Sequence, residues 1–276
     1  MNTSRHAMHP DDYTHRNTEQ LREAFLIDAL FTDDKIKTVY THYDRLIIGG
    51  AHPVSGNIQL QTFDALKAEY FLQRRELGII NVGAKGSITV DDVVYTLEYK
   101  EALYIGRGAK EVIFNTSTQG KARYYFNSAP AHVSYPTRKI SLTDAETVEL
   151  GSLENSNHRT IRKLIVNSVV ETCQLQMGLT ELKTGSVWNT MPPHTHDRRM
   201  EAYFYFEVPD NQVVCHFMGP VNETRHLWIK NNEAVISPPW SIHSGAGTSN
   251  YSFIWGMAGE NLDYGDMDTI SPTGLK

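Results

Sequence analysis

The stretch ELGIINVGAKGSITVDDVVYTLEYKEALYIGRGAKEVIFNT, Glu76 to Thr116, decides the fold. It holds apolar runs at Ile79–Val82, Ser87–Val90, Val93–Glu98, Ala102–Ile105 and Val112–Phe114. Gly83, the Lys85–Gly86 pair, the Asp91–Asp92 pair and the Gly-Arg-Gly at 106–108 separate them. Runs this short, spaced by turn residues, read as strands of a sandwich or barrel. Lys121 to Ile140 continues with an alternating strand and a proline-bounded loop. Upstream, DRLIIGGAHP (Asp44–Pro53) reads as a short buried strand broken by Gly49, Gly50 and Pro53. Before it, TEQLREAFLIDALF (Thr18–Phe31) is the one convincing helix, with Thr18 a candidate cap and Leu21, Phe25, Ile27, Leu30 and Phe31 near helical spacing.

Downstream, SLTDAETVELGSLENSNHRT (Ser141–Thr160) is polar and aperiodic, which makes it the natural boundary between two halves. Beyond it IRKLIVNSV, LQMGLTELKTGSVWN, EAYFYFEV, QVVCHFMGP, HLWIKNNEAVISPP and NYSFIWGMAG all read as strands. KNNEAVI (Lys230–Ile236) has the polar turn and β run of a hairpin. The expected fold is therefore all-β: two jelly-roll barrels in one chain with a short N-terminal helix. We place an arm at residues 1–45, a first barrel at 46–145 and a second at 155–276.

The chain has 276 residues, 40% hydrophobic and 21% charged, with a net charge of -6. That length can bury a substantial core. A phosphate backbone calls for a basic face, and the chain has an acidic balance and no Lys/Arg run, so no nucleic-acid partner is expected. A small anion needs only one or two local cations. No apolar run approaches the roughly 18 residues that span a bilayer, so no membrane partner is expected. MNTSRHAMHPDDYTHRN, at the N-terminus, lacks the apolar core of a signal peptide. Cys173 and Cys215 are the two cysteines; that is no disulfide framework, and a reducing cytoplasm is the expected location.

The chemistry gathers in MPPHTHDRRMEAYFYFEV (Met191–Val208) and, further on, SPPWSIHSG. Residues two apart on a strand share a face, so His194 and His196 point together. Glu201 follows after the polar turn Asp197–Met200, and His243 enters from a strand behind two prolines. A lone His-x-His is weak evidence; the glutamate, the distal histidine and the all-β setting make it a four-donor set fit for a divalent metal. Zinc, iron, manganese and nickel all suit such donors. From Glu201, parity puts Tyr203, Tyr205 and Glu207 on the metal face and the apolar Ala202, Phe204, Phe206 and Val208 on the other, which must be covered. His216 and His226 read as core or rim histidines, and His6, His9 and His15 as a solvated tail. Arg198 and Arg199 read as a surface turn, or as a turn beside the metal that meets a carboxylate, and Cys215 as a small core hydrophobe. Arg159, Arg162 and Lys163 are either solvated or substrate-facing.

HTHDRRME with His243 resembles the cupin metal pattern. Trp240 stands where that pattern usually has glycine, and Glu201 lacks the usual following glycine. Glu76 and Gly83 keep the glutamate-to-glycine spacing in the first half, but no histidine pair precedes them, so that half is expected to be a metal-free cupin. Nearly the whole chain is similar to the 5-keto 4-deoxyuronate isomerases (4-deoxy-L-threo-5-hexosulose-uronate ketol-isomerases) of bacterial pectin breakdown. The resemblance runs through GGAHP, YFLQRRELGIINVGAKGSITV, YIGRGAKEVIF, PAHVSYPT, NHRTIRKLI, CQLQMGLTELKTGSVWNTMPPHTHDRRMEAYFYFEV and PPWSIHSGAGTSNYSFIWGMAGEN. It implies a bicupin with one Zn2+ per chain on His194, His196, Glu201 and His243, a uronate substrate and a homo-hexamer. Glu207 and Tyr203 are the parity-compatible candidates for the proton carrier, a metal-bound hydroxide is another and a hydride shift would need none; Arg162, Lys163 and Arg198 are the first cations to test against the substrate carboxylate. An iron-dependent cupin dioxygenase and a non-catalytic sugar-binding cupin are the alternatives.

Overall fold

A computed structural model describes residues 2–276, and the regular structure of the described chain is almost entirely strand. It divides into two compact units: Met1–Arg5, Ala29–Glu146 and Lys163–Met177 form unit 1; His6–Asp28, Thr147–Arg162 and Gly178–Lys276 form unit 2.

In unit 1 a seven-stranded sheet runs in the order Asn2–Arg5, Lys35–Thr41, Ile47–His52, Tyr124–Pro130, Arg75–Asn81, Ala102–Ile105, Arg138–Ile140. A four-stranded sheet runs Ile58–Gln59, Val112–Phe114, Gly86–Val90, Val93–Leu97. Asp91 and Asp92 join the last two strands with φ of 43° and 71°. Two positive φ angles in a two-residue loop match the right-handed twist of the paired strands, and aspartate tolerates that conformation. Asp91 Oδ1 also accepts the Lys110 and Glu111 amides, each at 2.9 Å.

Alternation then fills the barrel. Leu77, Ile79, Leu103, Ile105, Phe114 and Phe126 belong to one buried apolar cluster. Glu76 lies on the opposite face of its strand. Its carboxylate accepts the amides of Cys173, Gln174 and Leu175 and the Tyr104 hydroxyl, at 2.8 to 2.9 Å. The glutamate-to-glycine spacing of Glu76 and Gly83 is thus not a metal-face position. Gly49 and Gly50 do not break their strand, which runs unbroken through Ile47–His52. They admit neighbours: a Cβ on Gly49 would stand 2.1 Å from the Phe126 ring.

Most strands of unit 2 belong to a second seven-stranded sheet, ordered Glu146–Leu150, Arg159–Ile165, Gln176–Leu182, Ser252–Gly259, Arg199–Phe206, Glu233–Ser237, Leu26–Ile27. A four-stranded sheet runs Trp188–Asn189, Ile242–Gly247, Val214–Gly219, Arg225–Ile229. The order in which the chain visits these positions repeats that of unit 1, apart from the outermost strands of the larger sheet. The fold is all-β with two cupin-like barrels and a short N-terminal helix. Lys230–Asn232 passes the chain from the smaller sheet to the larger one and does not close the expected hairpin.

The helix is shorter than its periodicity predicts, Thr18–Phe25. Its cap is Asn17, which exchanges hydrogen bonds with Gln20 in a capping box. Leu26 turns to extended backbone, and Leu26–Ile27 pairs with Ala234 and Val235. Edge pairing thus takes residues that the 3.6-residue period would have kept helical. Ala202, Phe204, Phe206 and Val208 are all buried, as their covered face requires. Among the described residues no helix is long and apolar enough to cross a membrane.

Candidate metal centre

Four donors converge in unit 2. His194 closes the short pairing with Thr269, Glu201 is the third residue of Arg199–Phe206, and His243 lies opposite Met218 on the smaller sheet. One donor atom from each of His194, His196, Glu201 and His243 fits within 4.8 Å of all the others. His243 Nε2 is 3.0 Å from His194 Nε2, and Glu201 Oε2 is 3.0 Å from both His196 Nε2 and His243 Nε2. Parity placed His194 beside His196, and the turn at Asp197–Arg198 brings Glu201 back onto them.

Neighbouring groups fix the rings. His196 Nδ1 lies 2.9 Å from the Arg199 carbonyl, which can only accept, so Nδ1 carries the proton and Nε2 presents a lone pair to the site. His243 Nδ1 is 3.2 Å from Ser237 Oγ. Burial and the neighbouring His243 push His194 down to about 3, leaving its ring neutral. Burial opposes charge on Glu201, but His243 and His196 outweigh it and hold the carboxyl below the usual range. Burial likewise opposes charge on His196, and the Glu201 hydrogen bond reverses the balance, raising its pKa.

This donor set fits a divalent metal. Ligand atoms about 2.0–2.2 Å from a zinc ion stand roughly 2.8 to 3.6 Å apart between octahedral and tetrahedral arrangements, and the three close separations are 3.0 Å. Glu201 is 4% exposed, and its ion-pair partners among the described residues are the two imidazoles, with no Lys or Arg. A buried carboxylate facing ring lone pairs needs a shared cation.

A cleft of about 280 Å3 opens onto the cluster, lined by His194 and Glu201 together with Arg159, Ile161, Tyr203, Trp255 and Tyr264 among others. Tyr203 therefore reaches the site, and its hydroxyl lies 2.9 Å from Thr190 Oγ1. Glu207 does not: it adopts φ 55° just past the strand end, which breaks the alternation, and its carboxylate accepts the Ser252 hydroxyl at 2.5 Å. Arg162 pairs with Glu181 at 2.9 Å and Lys163 with Glu146 at 2.5 Å, while Arg198 is 60% exposed.

Arg199 is the functional-site residue that the sequence reading missed. Expected on a surface turn, it is 1% exposed and donates to the carbonyls of Asp263, Tyr264 and Asp266. It thereby holds the C-terminal loop that supplies Tyr264 and Met267 to the cleft. The only signal would have been the adjacency of Arg199 to the metal strand. His216 is fully buried, with Nδ1 2.7 Å from the Tyr205 hydroxyl. Trp240, the departure from the cupin pattern, packs edge-on against Tyr13 and Phe25 at 5.3 and 6.3 Å, so its ring gives the N-terminal segment a contact that a glycine could not.

Residues 25–269 match the KduI/IolB family. The chain belongs to that family. It is 59% identical over 274 residues to a 4-deoxy-L-threo-5-hexosulose-uronate ketol-isomerase of Formosa agariphila, covering 99% of this chain and 98% of that one. A protein of the same description from Lachnoclostridium phytofermentans is 58% identical over 273 residues, covering 99% of each. Among solved structures, an IolB-like protein of Salmonella typhimurium LT2 superposes with a TM-score of 0.72 at 16% identity, covering 89% of this chain and 96% of its own. At that identity the likeness speaks for the fold.

Proposed function

We propose that this chain is a zinc-dependent ketol-isomerase converting 5-dehydro-4-deoxy-D-glucuronate to 3-deoxy-D-glycero-2,5-hexodiulosonate in pectin and oligogalacturonate breakdown. The observation that carries the reading is 59% identity, over nearly the whole of both chains, to a relative described by that ketol-isomerisation. His194, His196, Glu201 and His243 would hold one zinc ion per chain in the barrel of residues 155–276, and the barrel of residues 46–145 would hold none. Following the family resemblance, the reading takes the protein to be a homo-hexamer in the cytoplasm.

When bound, the metal supplies Lewis acidity toward the aldehyde and adjacent hydroxyl oxygens, which acidifies the C–H bond between them. The chain's own groups do the rest. The Arg199 carbonyl and Ser237 orient two of the imidazoles. Tyr203 offers its hydroxyl from the cleft wall to an oxygen of the acyclic sugar, with Thr190 as its fixed partner. Phe253, Trp255 and Met257 line the cleft with apolar surface. The net change moves one hydrogen from C2 to C1 and one proton between their oxygens, so no oxidant is consumed.

The test is anaerobic turnover of the uronate with elemental analysis of the same sample; product should form without oxygen at one zinc per chain. His196→Ala and Glu201→Ala should lose metal and turnover together while keeping the wild-type circular dichroism. Full activity in a metal-free variant refutes the reading, and an absolute requirement for oxygen would point to the dioxygenase instead.

A further inference from the structure

The cleft that ends on the four donors has two cations among its lining residues, Arg159 and Arg199. Arg199 is spent on three carbonyls of the C-terminal loop. Arg159 is not spent. Its one hydrogen bond given by the structure runs from Nη1 to the Asn157 carbonyl at 2.8 Å, and no carboxylate among the described residues lies within ion-pair distance of it. Other basic residues nearby in sequence have acids: Arg162 has Glu181, Lys163 has Glu146 and Lys183 has Glu149. A guanidinium in a cleft, without a counter-ion, is poised for an anion from outside.

Its position suits one end of a short acyclic molecule. Arg159 opens the strand Arg159–Ile165, and two strands, Gln176–Leu182 and Ser252–Gly259, separate it from the Glu201 strand. At about 4.8 Å per strand the two backbones lie roughly 14 Å apart across the sheet, and both side chains reach into the same cleft. Ile161 shares the face of Arg159, whereas Arg162 has the opposite parity. The substrate carries its reacting aldehyde at one end and its carboxylate at the other.

We infer that Arg159 binds the substrate carboxylate and selects uronates over neutral aldoses of the same length. The inference rests on the ketol-isomerase reading. Burial pulls Arg159 below the ordinary guanidinium range but leaves it charged at neutral pH, and burial also strengthens its attraction for an anion.

The experiment uses the borohydride-reduced substrate, which keeps the carboxylate and cannot isomerise, and the matching carboxamide. Binding of each is followed by calorimetry to zinc-loaded and to metal-stripped protein. Arg159→Gln should weaken the acid about 10- to 100-fold, as the loss of a charge-assisted bidentate hydrogen bond does, and leave the amide unchanged. Arg159→Lys should recover part of the loss, because it restores charge but not the fork. With true substrate the effect should fall mainly on KM and not on kcat, at unchanged zinc content and melting temperature. If Arg159→Gln binds the acid as wild type does, or loses acid and amide equally, the inference is overturned even where wild type isomerises the uronate. A wild type that fails to isomerise would sink the functional reading instead, and the acid-to-amide ratio would still test Arg159. Should Arg159→Gln fold poorly, the acid-to-amide ratio of Arg159→Lys decides alone: an unchanged ratio overturns the inference.

Discussion

Replacing Glu76 with glutamine tests whether the first barrel's apparent motif residue is a structural anchor. Oε1 of Glu76 accepts from the Gln174 and Leu175 amides, and Oε2 from the Cys173 amide and the Tyr104 hydroxyl. In Glu76→Gln the amide oxygen can still serve Gln174 and Leu175. The new NH2 then faces two donors. Tyr104 can rotate its hydroxyl and accept, but the Cys173 N–H cannot, and leaving one such donor unpaired costs about 1–3 kcal/mol. The surviving bonds change from charge-assisted to neutral, for about 1 kcal/mol more. The expected total is about 2–4 kcal/mol, with zinc content unchanged. Tyr104→Phe removes a single donor and should cost about 0.5–1.5 kcal/mol, coupled to the first change in a double-mutant cycle. Trp188, Trp228, Trp240 and Trp255 all belong to unit 2, so denaturation should be followed by far-UV circular dichroism and not by tryptophan fluorescence. A Glu76→Gln loss under about 0.5 kcal/mol, below what one orphaned buried donor costs, would refute the anchoring argument. So would a loss of zinc.

Ser237→Ala removes the group that steadies the His243 ring at 3.2 Å. Zinc affinity, measured by chelator competition, should fall about 10- to 100-fold with the fold intact; an unchanged affinity would leave Ser237 without that role. Asp34 accepts from the Ser55 hydroxyl and from the amides of Val54, Ser55 and Gly56, and these bonds, the Ser55 hydroxyl first, hold its pKa below the ordinary value. A folded-state pKa that is depressed gives stability present above the unfolded value of about 4 and lost as pH falls below it. An asparagine in its place would tolerate the φ of 57° equally well, so the gap in urea midpoint between wild type and Asp34→Asn should be clear at neutral pH and shrink below about pH 4. A gap that stays constant with pH would show that the charge is not what matters.

What could be read from the sequence was what depends on near neighbours. Alternation found the strands and, because faces repeat every second residue, put His194 and His196 on one side, while the polar turn after them pointed to Glu201 coming back alongside. The same rule failed where the backbone stopped alternating: one left-handed residue, Glu207, turned a predicted metal-face side chain toward Ser252. Spacing misled at Glu76, where the motif distance is kept while the face is the opposite one, since a count of intervening residues says nothing about which face the first one takes. Gly49 and Gly50 read as breakers because local propensity cannot anticipate the Phe126 ring that requires bare backbone at Gly49, or the Leu30 carbonyl and Phe31 ring that require it at Gly50. Arg199 was missed, and Arg159 was left open between solvent and substrate, for a related reason. Whether an arginine is solvated, consumed or waiting depends on carbonyls and carboxylates set by distant chain: residues 263–266 for Arg199, and for Arg159 an acid that no neighbouring strand supplies. The two units press the point further. They share a strand order, so the alternating pattern suffices to build the barrel; one interior is filled by side chains such as Leu77 and Phe126 and the other gathers His194, His196, Glu201 and His243. Chemistry in this fold is therefore decided by a few inward positions whose identity the barrel itself leaves open.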